Sequence, residues 1–288
     1  MGTQSVISRE MVHILPCERD DRITCPDVID DSLPFQKNTE KTEPETEGGE
    51  SVIEEEEPDS EELVNPDAKY AWNAPCLMVI FEESDLSSAL HYLIESLQDP
   101  FALDAVAVLL VQESLLQELV GRVVSLMKPL DSRVANHPCY KRTLKKLAEL
   151  KPEVIVGPAE SVFPDATPML VRDIPHRYLG EGPTGIITMH VFRTPYDATR
   201  VYRKEHPLPI ASVSIWSEKI SSLYDVMGLM DIVTFQINCF NVNMEPIKKD
   251  FEQQRNCVQM HKGYHYETLQ INYNRKIVVY PVGTIYGN

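Results

Sequence analysis

The stretch DPFALDAVAVLLVQES, residues 99–114, decides how the rest of the chain is read. It opens on a proline turn, continues as an uninterrupted apolar run over residues 105–111, and ends on the polar Gln112, Glu113 and Ser114. An apolar run that does not alternate is the pattern of a strand buried on both faces, as in a parallel sheet covered by helices. The segment that follows, 113–127, places Leu115, Leu116, Leu119, Val120, Val123, Val124 and Met127 on one side of a helix.

The same alternation extends outward in both directions. Upstream, CLMVIF (76–81) reads as a buried strand, and Ser84 is the expected N-cap of the helical pattern DLSSALHYLIESL (85–97). Downstream come a helix over 140–150 and the short strand EVIVG (153–157). MLVRD (169–173) and GIITMHVF (185–192) read as strands, YDATRVYRKEH (196–206) as a helix, and IASVSIW (210–216) as a strand. KISSLYDVMGL (219–229) then gives a helix and IVTFQIN (232–238) a strand. The expected class is therefore α/β, a mostly parallel sheet flanked by helices. The last segment, YETLQINYNRKIVVYPV (266–282), is long, β-prone and mixed in polarity, the pattern of an extended C-terminal strand or hairpin at an edge.

Charge divides the chain. The net charge is −17, which argues against a nucleic-acid surface. Residues 1–70 hold 20 of the 44 acidic and 6 of the 27 basic residues, hence −14, so the body is nearly neutral. Within them, residues 38–67 combine Glu with Pro, Gly, Ser and Thr, a composition that buries too little apolar area to offset its ordering entropy. Two regions are expected: an acidic, largely disordered one at 1–70 and a folded one at 71–288. The N-terminus has no apolar signal core, Val6 stands where a myristoylation motif needs Ser or Thr, and 105–111 is too short to span a bilayer. The six cysteines form no CxxC pair. A cytoplasmic protein with free thiols is expected, the nucleus being the other compartment that fits, with no membrane partner.

In order and local motif these elements resemble the catalytic domain of aldehyde dehydrogenases. PLPIASVSIWSEKISSLYDVMGLMDIVTFQINCFN (207–241) is similar to the family's strand, helix and strand ending in Val-Asn, with Ile237 and Asn238 at that end. VLLVQESLLQELVGRVVSLM (108–127) resembles the strand and helix after the nucleophile, and APCLMVIFEESDLSSAL (74–90) those before its loop. SVFPDATPMLVRDIPH (161–176) resembles the family's Pro-Thr-Val segment. The resemblance spans 71–288 and implies an aldehyde-dehydrogenase catalytic-domain-like fold.

The departures concern the chemistry. The resemblance puts the family's nucleophilic Cys near Leu103, its general-base Glu near Lys69 and its ribose-holding Glu near Leu179. A Leu supplies no thiolate, and a Lys does not accept a proton in the base's role without a strongly depressed pKa. The NAD-binding domain that the family places upstream has only the acidic tail in its position. GEGPTG (180–185) matches G-x-G-x-x-G but contains Pro183 and runs into a strand, whereas a dinucleotide fingerprint opens a helix. No catalytic, cofactor-binding or metal-binding residue is therefore assigned.

Three other constellations were weighed. Cys257, His261 and His265 would share one face if CVQMHKGYH were helical, a possible metal set opposed by Gly263 and a missing fourth ligand. His137 and Cys139 lie together before a helix, with no orienting group evident. Cys239 reads as buried and inert.

The sequence thus favours a non-catalytic aldehyde-dehydrogenase-like protein acting as a binding or assembly module, with no cofactor. The alternative is residual oxidoreductase activity on aldehydes with NAD or NADP, acting with a partner subunit. A protein partner, or a second copy of the chain, is expected at the C-terminal strand, through Tyr266, Leu269, Ile271, Tyr273, Ile277 and Tyr280. In that reading Leu269, Ile271 and Tyr273 share one face, the strand's edge groups lack partners in a monomer, and Arg275 and Lys276 are the competing edge gatekeepers.

Overall fold

The computed structural model describes residues 71–158, 166–180 and 182–284. The acidic region 1–70 and Lys69 lie outside the described residues. The strands are β1 (Cys76–Ile80), β2 (Val106–Gln112), β3 (Glu153–Ile155), β4 (Leu170–Arg172), β5 (Ile187–Phe192), β6 (Ser212–Trp216), β7 (Thr234–Ile237), β8 (Val258–His261), β9 (Tyr264–Ile271) and β10 (Asn274–Pro281). The helices are α1 (Leu86–Gln98), α2 (Leu116–Leu126), α3 (Ser132–Ala135), α4 (Pro138–Leu150), α5 (Pro195–Lys204), α6 (Ile220–Leu229) and α7 (Glu245–Glu252).

All strands join one sheet in the order β3-β4-β5-β2-β1-β6-β7-β10-β9-β8. From β4 to β10 every neighbouring pair is parallel, and antiparallel pairs close both ends. The α/β class with a mostly parallel sheet is thereby established. Every residue of β1 is fully buried, because apolar clusters lie on both faces. Met78 and Ile80 meet Leu90 and Leu93 of α1 and Leu119 of α2 on one face. Leu77 and Val79 share a cluster with Ala198 of α5 and Leu223 and Val226 of α6 on the other.

At the start of α1 the cap is Asp85, not Ser84. Asp85 Oδ1 accepts from the amides of Ser87 (3.1 Å) and Ser88 (3.2 Å), reaching two orphan donors that Ser84, one residue earlier, does not satisfy.

The C-terminal segment takes the second of its two expected forms, although β10 does not lie at the edge. It is a hairpin whose two turn residues, Asn272 and Tyr273, both have positive φ (48° and 67°), as in the type I′ turns that suit the twist of paired strands. Strand β10 is interior, parallel to β7 on one side and antiparallel to β9 on the other, and β9 in turn pairs with β8. The backbone of 264–268 and 277–279 is therefore paired on both sides within the chain, and among the described residues the outermost strand is β8. Mixed polarity arises because each strand serves two faces. Tyr266, Ile277 and Val279 pack with Ile247 of α7, while Leu269, Ile271, Val278 and Tyr280 join the α6 cluster. Tyr273 sits in the turn, 95% exposed, off the face that Leu269 and Ile271 share.

Lys276 is not an edge gatekeeper either. It is buried, and its Nζ donates to the carbonyls of Met230 (2.8 Å) and Ile232 (2.7 Å), just beyond the end of α6. This cation ties β10 to the connection between α6 and β7. Lys276→Met keeps the apolar stem and leaves both carbonyls without this donor, at a cost of about 2–4 kcal/mol. A melting temperature unchanged from the wild type would contradict that role.

Candidate functional site

At the amino ends of β1, β2 and β5 three connections meet. They are the entry 71–75, the loop 100–105 between α1 and β2, and the turn 183–186 before β5. Backbone bonds fix two of them together: Asp104 N–H donates to the Asn73 carbonyl (3.1 Å) and Cys76 N–H to the Ala105 carbonyl (2.9 Å). Between the three lies a cavity of about 410 Å³. Gly185 is required beside it, since its φ is +77° and an added Cβ would come within 2.8 Å of the Phe101 ring.

Trp72, Phe101 and His137 supply the ring walls, and Ala71, Ala102, Ala105 and Ala107 leave the space. The Phe101 ring stacks on His137 at 3.9 Å. His137 Nδ1 accepts the Cys139 amide (3.3 Å) and so caps α4, which is the local role of the His137–Cys139 pair. Burial, followed by the Arg142 charge, holds the His137 imidazole below its usual pKa.

Behind Thr184 runs a buried polar chain. His176, in a 3-10 turn at His176–Leu179, is fully buried with Nε2 2.9 Å from Thr184 Oγ1 and Nδ1 3.0 Å from Thr188 Oγ1. Glu205, just past α5 and also buried, accepts the His176 backbone N–H (2.7 Å) and lies 2.6 Å from His190 Nε2. Trp72 packs 5.4 Å from the His176 ring, so this chain of contacts supports the cavity wall. Burial pushes His176 down to about 4, against the opposing pull of Glu205, so it is neutral at pH 7.

The positions named from the sequence fall as follows. Leu103 is 56% exposed, beyond the lining, although its neighbours Phe101 and Ala102 line the cavity. Leu179 is fully buried against the cluster of Tyr140, Met169 and Val171, a packing role. The GEGPTG glycines take positive φ at Gly180, Gly182 and Gly185 and lead into β5, not a helix. The helical face proposed for Cys257, His261 and His265 does not exist. Lys262 and Gly263 form a two-residue turn (φ 47° and 82°) between β8 and β9, and His265 pairs across it with Met260. Among the described residues no group of three His, Cys, Asp or Glu side chains could hold a metal ion.

Two buried thiols, Cys76 and Cys239, are held in the protonated form. Burial pushes Cys76, which begins β1, up to about 12, and it raises buried Cys239 as well. The sequence reading missed His176, Thr188, His190 and Glu205, which come from three separate elements with no shared spacing. The one local sign was a histidine in the apolar context of IPHRYL (174–179).

At the far end of the sheet β8 is, among the described residues, bonded on one side only, with Val258 (60%) and Met260 (69%) exposed. Gln259, which alternates with them, donates to the Pro246 carbonyl at the start of α7.

Residues 71–286 match the model of the family described as "Protein of unknown function (DUF1487)". The chain belongs to the DUF1487 family. No curated protein matches it. Among solved structures, this DUF1487 chain is similar to an NAD-dependent benzaldehyde dehydrogenase from Corynebacterium glutamicum, at 16% identity and a TM-score of 0.44 over 59% of this chain and 40% of that one. It is similar to lactaldehyde dehydrogenase from Escherichia coli at 16% identity and a TM-score of 0.44, over 60% of this chain and 40% of that one. The Delta-pyrroline-5-carboxylate dehydrogenase from Mycobacterium tuberculosis is similar at 10% identity and a TM-score of 0.45, over 60% and 36%. The chain thus spans about 40% of the length of these dehydrogenases or less. Among the described residues no helix is long and apolar enough to cross a membrane.

The buried imidazole carries a pH consequence. His176 has a folded pKa of about 4, below its unfolded value, so the unfolded state binds more protons between them. Its contribution to stability is present above about pH 6.5 and is lost as pH falls toward 4, an effect of about 3 kcal/mol. Thermal melts of wild type and His176→Gln across that window should show a shallower decline for the variant. Parallel curves would contradict the assignment.

Proposed function

We propose that this DUF1487 chain is a non-catalytic, aldehyde-dehydrogenase-like binding and assembly module whose partner is a β-strand of another protein chain. The observation that carries this reading is β8, the outermost strand of the sheet, with its apolar Val258 and Met260 exposed. Natural sheets cover, shorten or charge such edges, and β8 (VQMH) contains no Lys, Asp, Glu or Pro. An added strand would take main-chain bonds from the edge and cover those two side chains, the mode of strand-addition recognition. The hairpin singled out in the sequence thus acts as support, and β8 is the docking strand. The absence of chemistry rests on residue types. Leu103 supplies no sulfur where the resemblance expects the nucleophile, and the thiol that begins β1 is buried and protonated. The free thiols Cys76, Cys239 and Cys257 fit a reducing compartment, and we place the protein in the cytoplasm.

Two measurements test this reading. Solution mass across a concentration series, with and without cell extract, should show self-association or a bound protein for the wild type. Val258→Lys with Met260→Lys should abolish it, with little change in melting temperature. A wild type that stays monomeric and unbound, or association that survives both lysines, would contradict the edge assignment. Separately, the pure chain should reduce neither NAD nor NADP with short aldehydes. Turnover above a heat-killed control, lost on mutating one cysteine, would overturn the non-catalytic reading in favour of residual aldehyde oxidation.

A further inference from the structure

The cavity at the amino ends of β1, β2 and β5 lies at a different place from the β8 edge, and its lining is selective. Among the described residues no Asp, Glu, Lys or Arg lines it. Its polar side chains are Asn73, exposed, His137, half-buried, and Thr184, buried. The rest of the wall is aromatic or small and apolar, from Trp72 and Phe101 to Pro75, Pro100, Val106 and Ile186. A charged ligand entering here would lose hydration with no ionised side chain of the described lining to meet it, which is costly in an apolar surround. An uncharged ring system would bury its area against the ring walls and turn its polar group toward Asn73 at the exposed rim.

Size and rigidity agree with this chemistry. About 410 Å³ falls within the range of sites that enclose small organic ligands. The walls are held before any ligand arrives. Thr184 is fixed by His176 and by the Ile186 carbonyl (3.2 Å), Phe101 by its stack on His137, and the entry 71–75 by the backbone bond between Asp104 and Asn73. A preformed site spends little binding free energy on ordering. We propose that this cavity binds an uncharged, largely apolar, ring-bearing small molecule.

The probe is N-phenyl-1-naphthylamine, which is uncharged and fluoresces in apolar sites, compared with its sulfonated analogue 8-anilino-1-naphthalenesulfonate. On the full chain the neutral probe should bind saturably at one site, and the sulfonate about tenfold or more weaker. Ala102→Trp, which fills the cavity from its rim, should remove neutral-probe binding while the melting temperature stays near wild type. Trp72→Phe, which cuts back one ring wall, should weaken neutral-probe binding several-fold. The edge variant with both lysines should bind the probe as the wild type does, which separates this site from the assembly reading. Absent or non-saturable binding, equal affinity for the sulfonate, or binding that persists in a folded Ala102→Trp variant would each overturn the proposal.

Discussion

The structure depends on the complete burial of β1. Its five residues, CLMVI, are shielded on both faces and hydrogen-bonded on both edges, to β2 and β6. A strand in that position needs apolar side chains on both faces and helices above and below, which α1, α2, α5 and α6 supply. Its amino end lies where the three cavity-forming connections meet. Beyond β6 the sheet continues through β7 into the C-terminal hairpin, so the same packing fixes where the last edge falls. The cavity and the outermost strand thus both follow from where a two-faced sheet begins and ends.

The loop 100–105 still shapes a cavity, yet it contributes rings and methyl groups there while Leu103 turns outside the lining. Cys76 stands at the start of β1 and is close in sequence to the lining residue Pro75, but complete burial keeps its thiol protonated. The polar chain of Thr184, His176, Thr188, Glu205 and His190 is satisfied internally. Its role is to hold the wall, and a neutral His176 suits that role at physiological pH.

Legibility in the sequence followed the range of the interactions. The strands β1, β2, β5, β6 and β7 and the helices between them were readable, because burial on two faces or on one stripe writes itself into local periodicity. The hairpin was harder. Asn272-Tyr273 lacks the glycine that marks most type I′ turns, and the insertion of β10 beside β7 is a long-range event with no local signature. Lys276 reads as solvent-facing until the carbonyls of Met230 and Ile232, more than forty residues away, are brought to it. Cys257, His261 and His265 show the converse failure, a helical spacing cancelled by a tight turn at Lys262-Gly263. The polar chain behind the cavity had no local signature, since its members come from separate elements.

Amide hydrogen exchange, read residue by residue at low protein concentration, tests the central placement most directly. With β10 interior, the amides of Ile277, Val278 and Val279 should exchange as slowly as those of Leu77, Met78 and Val79 in β1, through global unfolding. Amides on the outer side of β8 should exchange far faster and gain protection as concentration rises or a partner is added. Fast exchange throughout 264–281, or a β8 already protected in the dilute monomer, would contradict the account.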